Sequence, residues 1–282
     1  MVQSTVSPPF SLHGHRALVT GGTRGIGAAV ARLLARCGAD VCVGYRARHD
    51  EANAMRIELS RHGVKGASFA GDVGTVAGAE ALVAHAVREL GGLDICVHSA
   101  GIWPAEDVPA SDLTDERWAR TIRENLDATF FVSRAAARAM LAQRAKFLGQ
   151  GGPMRASGET PAAWRGGRIV LVSSTAGQRG EPMHADYAAS KGAMIAFVKS
   201  FAVELAPHGI TVNSVAPGWV DTEMCADPFA GGGKERIART IPVGRVATPD
   251  DVAFPIVSLC FEGARHVTGE IVNVNGGSVL CG

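Results

Sequence analysis

Seven short runs of mostly apolar residues recur along the chain, at Arg16 to Thr20, Val41 to Tyr45, Ala67 to Ala70, Asp94 to His98, Arg168 to Val172, Ile210 to Val215 and Ile271 to Val274, separated by longer alanine-rich amphipathic stretches. The runs are continuous rather than alternating, so each strand is expected to be buried on both faces. Strands joined through helices cross over in parallel, and right-handed crossovers place helices on each side of the sheet. The expectation is an α/β fold: a doubly wound, seven-stranded parallel sheet with helices on both faces. No linker divides the 282 residues and no solenoid-length repeat is present. Residues 12–282 are therefore expected to form one domain behind a loose tail at 1–11.

Composition narrows the function. Hydrophobic residues make up 46% and charged residues 20%, a balance that supports a packed core rather than disorder. The formal net charge is +1, and no basic cluster alternates with aromatics, which argues against nucleic acid and for a small-molecule partner. The six cysteines show no Cys-x-x-Cys spacing, and Cys42 and Cys96 sit inside apolar runs, so a reducing cytoplasm is expected and no metal site. The stretch from Met1 to His15 lacks the charged start and apolar run of a signal peptide or membrane span. Gly149 to Gly167 is rich in turn formers without an apolar period and is expected to be an inserted surface loop, remote from chemistry because it enters a strand at its N-terminal end.

The first strand runs directly into Thr20-Gly21-Gly22-Thr23-Arg24-Gly25-Ile26-Gly27 and then an Ala/Leu helix. A dinucleotide site needs this order of strand, glycine turn and helix. Gly21 permits the tight turn, Gly25 lets backbone approach the pyrophosphate, and Gly27 lets the helix pack closely while its N-terminal amides face the phosphates. Where an NAD site usually carries an acidic residue after the second strand, the chain has Val43-Gly44-Tyr45-Arg46. Arg46, with Arg24 in the turn, suits a ribose 2′-phosphate, so NADP(H) is expected over NAD(H).

Tyr187 and Lys191 stand four residues apart in Ala-Asp-Tyr-Ala-Ala-Ser-Lys-Gly, which places phenol and ammonium on one helix face. An adjacent cation favours the phenolate, so Lys191 is expected to lower the pKa of Tyr187. Taken with the glycine turn, Asp72-Val73, Ala100-Gly101, Glu124-Asn125-Leu126, Ser173-Ser174 and Asn213-Ser-Val-Ala-Pro-Gly218, in that order, the chain resembles the short-chain dehydrogenase/reductase family. The resemblance runs from about Leu12 to Gly282 and is closest in pattern to 3-oxoacyl carrier-protein reductases and related carbonyl reductases.

That resemblance implies a single-domain Rossmann-type fold and a reversible, NADP(H)-dependent reduction of a carbonyl to a secondary alcohol. Tyr187 would be the general acid of reduction and Lys191 would hold the nicotinamide ribose. Ser174, 13 residues before the tyrosine, would polarise the carbonyl, and Asn125 would seat a water that relays protons to the lysine. Asp72 and Val73 would meet the adenine, Ser99, Ala100 and Gly101 the adenosine ribose region, and Pro217, Gly218, Val220 and Thr222 the nicotinamide. The resemblance also implies a homo-oligomer, dimer or tetramer, packed through the helices of 127–146 and 187–206.

Two departures from the family pattern stand out. His98-Ser99 replaces Asn-Asn, and His98 is read as structural; Asn275-Gly276-Gly277 replaces Asp-Gly-Gly. The substrate side is expected at Ile102, Trp103 and Pro104, at Gln178 to His184, and at Trp219 with Glu223 to Arg236, where Pro228 and Gly231-Gly232-Gly233 suggest a lid. Arg179 and His184 face either an acidic substrate tail or solvent. The substrate is left open among 3-oxoacyl thioesters on a carrier, sugars, polyols and steroid-like alcohols. A non-catalytic NADP-binding sensor would keep the glycine turn but could lose Asn125, Ser174, Tyr187 and Lys191. An epimerase or dehydratase of this scaffold would carry a longer C-terminal substrate domain than is found in these 282 residues.

Overall fold

The computed structural model describes residues 10–149 and 165–281. Seven parallel strands, β1 (Arg16–Thr20), β2 (Asp40–Tyr45), β3 (Gly66–Ala70), β4 (Ile95–His98), β5 (Gly167–Val172), β6 (Ile210–Pro217) and β7 (Ile271–Val274), form one sheet in the order β3-β2-β1-β4-β5-β6-β7. Helices α1 (Gly25–Arg36), α2 (His49–Ser60), α3 (Val76–Leu90), α4 (Asp115–Ile122), α5 (Ala128–Gly149), α6 (Ala176–Arg179), α7 (Ala185–Leu205), α8 (Ala226–Phe229), α9 (Gly233–Ala238) and α10 (Pro249–Ser258) connect them. The doubly wound expectation holds.

Alternate residues of each strand enter opposite cores. Ala17 and Val19 of β1 pack with α1, α2 and α10, whereas Leu18 faces α3, α5 and α7. Leu18, Leu34, Leu82, Ile169 and Ile210 are fully buried, each worth about 1.5–3 kcal/mol over exposure. Alanines 28, 29, 31 and 35 form the buried face of α1, so it can lie close to the sheet.

Strand ends move where side chains intervene. Asp94 was expected inside β4, but its carboxylate accepts from Arg16 Nε and Nη2, both at 2.7 Å, and anchors the strand from outside. The expected loop boundaries also shift: Gly149 closes α5, Gly167 opens β5 opposite Ile210, and 150–164 lies outside the described residues, as do 1–9. Leu12 already belongs to the fold, fully buried and donating its N–H to Cys37 O. Between α4 and α5 the helix widens into a π-helical turn, Arg123–Asp127, in which Ala128 N–H reaches Arg123 O.

Candidate active site

The strand order reverses between β1 and β4, and a cleft of about 300 Å³ opens beyond their C-terminal ends. It is lined by Gly21, Thr23, Arg24, Gly25, Ile26 and Gly27 of the glycine turn, by Arg46 after β2, by Asp72 and Val73 after β3, by Ser99, Ala100 and Gly101 after β4, and by Thr222. These residues fit a dinucleotide. Gly25 has φ +51°, and a Cβ at Gly27 would run into the carbonyl oxygen of Gly21. No side chain caps α1 and no acidic residue occupies its first turn, so its leading N–H groups are available to an anion.

Sequence reasoning missed two charged residues here. Arg48, at the start of α2, and Glu223, after β6, line the same cleft as Arg24 and Arg46. Arg24 Nη1 donates to Glu223 Oε2 at 2.8 Å, Arg48 Nη2 donates to the same oxygen at 2.7 Å, and Arg46 turns instead to Glu124 at 2.7 Å. Only folding brings Glu223 across from the glycine turn, so no local pattern could have flagged it.

An adjoining pocket of about 120 Å³ contains Ser174, Tyr187, Lys191, Pro217, Gly218 and Val220. Tyr187 and Lys191 sit one turn apart on α7, with Lys191 Nζ 5.6 Å from the phenol ring centroid and donating to Val172 O at 2.9 Å. Both are buried. Burial pushes the phenol up to about 12, with the Ser174 hydroxyl acting in the opposite sense, and lowers the ammonium to about 8. The expected lowering of Tyr187 by Lys191 is therefore corrected: desolvation dominates, and the tyrosine is held as a phenol, the form that donates a proton.

Ser173 is committed to the sheet, its hydroxyl donating to Val215 O and accepting from Ser214 Oγ, whereas Ser174 Oγ accepts from Ala176 N. Asn125 lies in the π-helical turn, fully buried. Its Oδ1 accepts from Ile102 N at 2.8 Å, and its Nδ2 donates to Ile102 O and Ser190 Oγ, each at 3.1 Å. The side chain thus clamps the segment after β4. Gly101 lies between it and the lysine: a Cβ there would stand 2.9 Å from Asn125 Oδ1 and 3.5 Å from Lys191 Nζ.

His98 ties β4 to β1. The Thr20 hydroxyl accepts from Ser99 N and Ala100 N, so its single proton goes to His98 Nδ1 at 2.9 Å, and the imidazole carries its own proton on Nε2. Burial lowers its pKa to about 3, with Lys191 adding to the effect, and the ring is neutral.

The substrate side is aromatic. Trp103 stacks on His184 at 4.0 Å and meets Tyr187 edge-on at 4.7 Å, and Trp219 lies 6.2 Å from Trp103. Arg179 pairs with Glu181, and His184 is buried against Trp103 with its Nε2 bonded to Pro104 O. Neither presents itself to an acidic substrate tail, nor, for His184, to solvent. The expected lid consists of α8, a turn with Gly231 at φ +56°, and α9, tethered by the Lys234–Asp221 ion pair.

Models of two protein families match, short chain dehydrogenase over residues 15–147 and enoyl-(acyl carrier protein) reductase over residues 154–278. An L-rhamnose 1-dehydrogenase (NAD(P)(+)) of Azotobacter vinelandii is 34% identical, covering 92% of this chain and 94% of its own. A 3-oxoacyl-(acyl-carrier-protein) reductase of Aquifex aeolicus is 34% identical, covering 95% and 98%. The chain belongs to the short-chain dehydrogenase/reductase family. Among solved structures, a dehydrogenase/reductase from Sinorhizobium meliloti 1021 superposes with a TM-score of 0.82 at 33% identity, over 96% of this chain and 98% of that one. The short-chain dehydrogenase/reductase membership makes the protein an oxidoreductase of carbonyls or alcohols that uses a nicotinamide cofactor. Among the described residues, no helix is long and apolar enough to cross a membrane and no three His, Cys, Asp or Glu side chains gather as a metal site.

Proposed function

We propose that the protein is an NADP(H)-dependent reductase that interconverts a ketone and a secondary alcohol. The observation that carries this reading is the convergence of Tyr187, Ser174 and Lys191 on one pocket beside a cleft shaped for a dinucleotide. The nicotinamide supplies or accepts the hydride. Tyr187, kept protonated by burial, donates its proton to the carbonyl oxygen, and the Ser174 hydroxyl donates a hydrogen bond to the same oxygen as charge develops. Lys191 keeps a cation beside the phenol and holds the nicotinamide ribose, and Asn125 fixes the segment after β4 and seats the relay water. Three arginines around the cleft, Arg24, Arg46 and Arg48, support the preference for NADP(H).

Two substrate classes have support. The 3-oxoacyl reading rests on relatives of that name and on the apolar walls of the inner pocket. A ring or chain bearing several hydroxyls is favoured by the outer vestibule of about 520 Å³, where Trp103 and Trp219 stand with Asp107, Glu181 and Asp227. Carboxylates suit hydroxyl donors and repel an acidic carrier. Exposed Phe130 on α5 and Val203 on α7 support assembly into a homo-oligomer, and six free cysteines suit a reducing cytoplasm.

A carbonyl panel containing 3-oxoacyl thioesters, aldonolactones and small cyclic ketones, followed by NADPH absorbance, tests the reading. Turnover with at least one class, abolished in Tyr187→Phe while NADPH still binds, is expected. Undiminished turnover in Tyr187→Phe refutes the assignment.

A further inference from the structure

The ion pairs at the mouth of the cofactor cleft have an uneven charge count. Arg24, at the N-terminus of α1, and Arg48, at the N-terminus of α2, converge on one carboxylate, Glu223. Two guanidiniums against one carboxylate leave an excess of one positive charge. Glu223 opens the segment that runs through α8 and α9 over the substrate pocket. One acidic side chain thus fastens the lid to two elements that border the cofactor site. All three side chains are about half exposed, at 51%, 41% and 57% for Arg24, Arg48 and Glu223, so the pairs are weak and exchange readily.

A phosphate monoester offers these arginines more than Glu223 does. It carries −1.5 to −2 charges near neutrality against −1, and presents three acceptor oxygens to forked donors. Resting on the NADP(H) reading above, we infer that Glu223 is a built-in stand-in for the ribose 2′-phosphate, and that it sets cofactor preference by competing for Arg24 and Arg48. A cofactor bearing the phosphate takes the two arginines and releases Glu223 together with the lid. A cofactor without it leaves the clasp closed. Arg48 is thereby a specificity-determining residue alongside Arg24, whereas Arg46, paired with Glu124, lies outside the clasp.

Glu223→Gln removes the competing charge and keeps the size of the side chain. Titration of the cofactor-free protein with NADPH and NADH, read by nicotinamide fluorescence, is expected to show Kd for NADPH falling about 3- to 10-fold in Glu223→Gln, with Kd for NADH within twofold of wild type. Arg48→Gln is expected to weaken NADPH at least about 10-fold and leave NADH unchanged. In the double variant the gain from Glu223→Gln is expected to shrink, because the competition needs both partners.

Trypsin gives a readout independent of affinity. Cleavage at Lys234, Arg236 or Arg239 is expected to be faster with NADP⁺ than with NAD⁺ in the wild type, and fast without cofactor in Glu223→Gln. If NADPH binds but Glu223→Gln has the wild-type ratio of NADPH to NADH affinity, the inference falls and the reductase reading survives. If folded wild-type protein binds no NADPH, both fall.

Discussion

Lys191 offers the sharpest test of how burial shapes this site. Its ammonium is lowered from 10.5 to about 8 by desolvation, which at about 1.4 kcal/mol per pH unit is about 3 kcal/mol against the charged form in the fold. The folded pKa lies below the unfolded one, so between pH 8 and 10.5 the unfolded chain binds more protons, and stability rises with pH across that window. About 2 kcal/mol of the total should be gained between pH 7 and 9.5 in the wild type and be missing in Lys191→Met. That variant also leaves Val172 O without its donor, a cost that does not vary with pH, so the slope is the quantity to read. Urea unfolding of both proteins at half-unit pH steps measures it. The same proton appears in kinetics, because kcat/KM for NADPH reports the free enzyme. It should fall about tenfold per pH unit above pH 8, with no separate limb from Tyr187, whose phenol is pushed up to about 12. A stability difference between the two proteins that stays constant within about 0.5 kcal/mol, with kcat/KM flat to pH 9.5, would refute the reasoning.

Three further outcomes are expected. Gly101→Ala brings a methyl within 2.9 Å of Asn125 Oδ1, so the amide and the lysine must separate, and steady-state kinetics should show kcat reduced at least about 10-fold while the melting temperature changes little. Ser174→Ala should lower kcat about 100-fold without altering NADPH affinity measured by fluorescence, since the hydroxyl faces the reacting oxygen rather than the dinucleotide cleft. Asp251→Ala breaks the reciprocal cap of α10, in which Asp251 accepts from Thr248 N and Thr248 Oγ1 accepts from Asp251 N, and should cost about 1–2 kcal/mol in thermal or urea unfolding. The hydrogen bond from Arg245, followed by that from Thr248 N, holds this carboxyl below the usual carboxylate range. Its contribution is therefore present above that range and lost as pH falls through it.

The sheet was legible because burial on both faces writes seven continuous apolar runs into the chain, and the reactive residues were legible because helical spacing joins Tyr187 to Lys191. The environment of that pair was not. Spacing places a cation on the same face as a phenol but says nothing of the water removed from both, and here the missing water outweighs the neighbouring charge. The Arg48–Glu223 pair spans 175 positions and has no local signature. The lid helices escape notice because α8 and α9 are four and six residues long, too short for any period to show. Asp94 looked like a strand residue because its neighbours are apolar, and only the Arg16 fork across β1 shows that its side chain fastens the strand from outside.

The π-helical turn at Arg123–Asp127 bears on how this chain tolerates changes of length. A π turn is an α-helix with one residue added, and removing that residue would restore regular winding and rotate all that follows by about 100°. Ala128, Val132, Ala136 and Met140, which now line one buried face of α5, would swing toward solvent together, and Asn125 would leave Ile102. Single-codon deletions between residues 115 and 140 should therefore be far more damaging than substitutions at the same positions, with the exposed sites hit as hard as the buried ones.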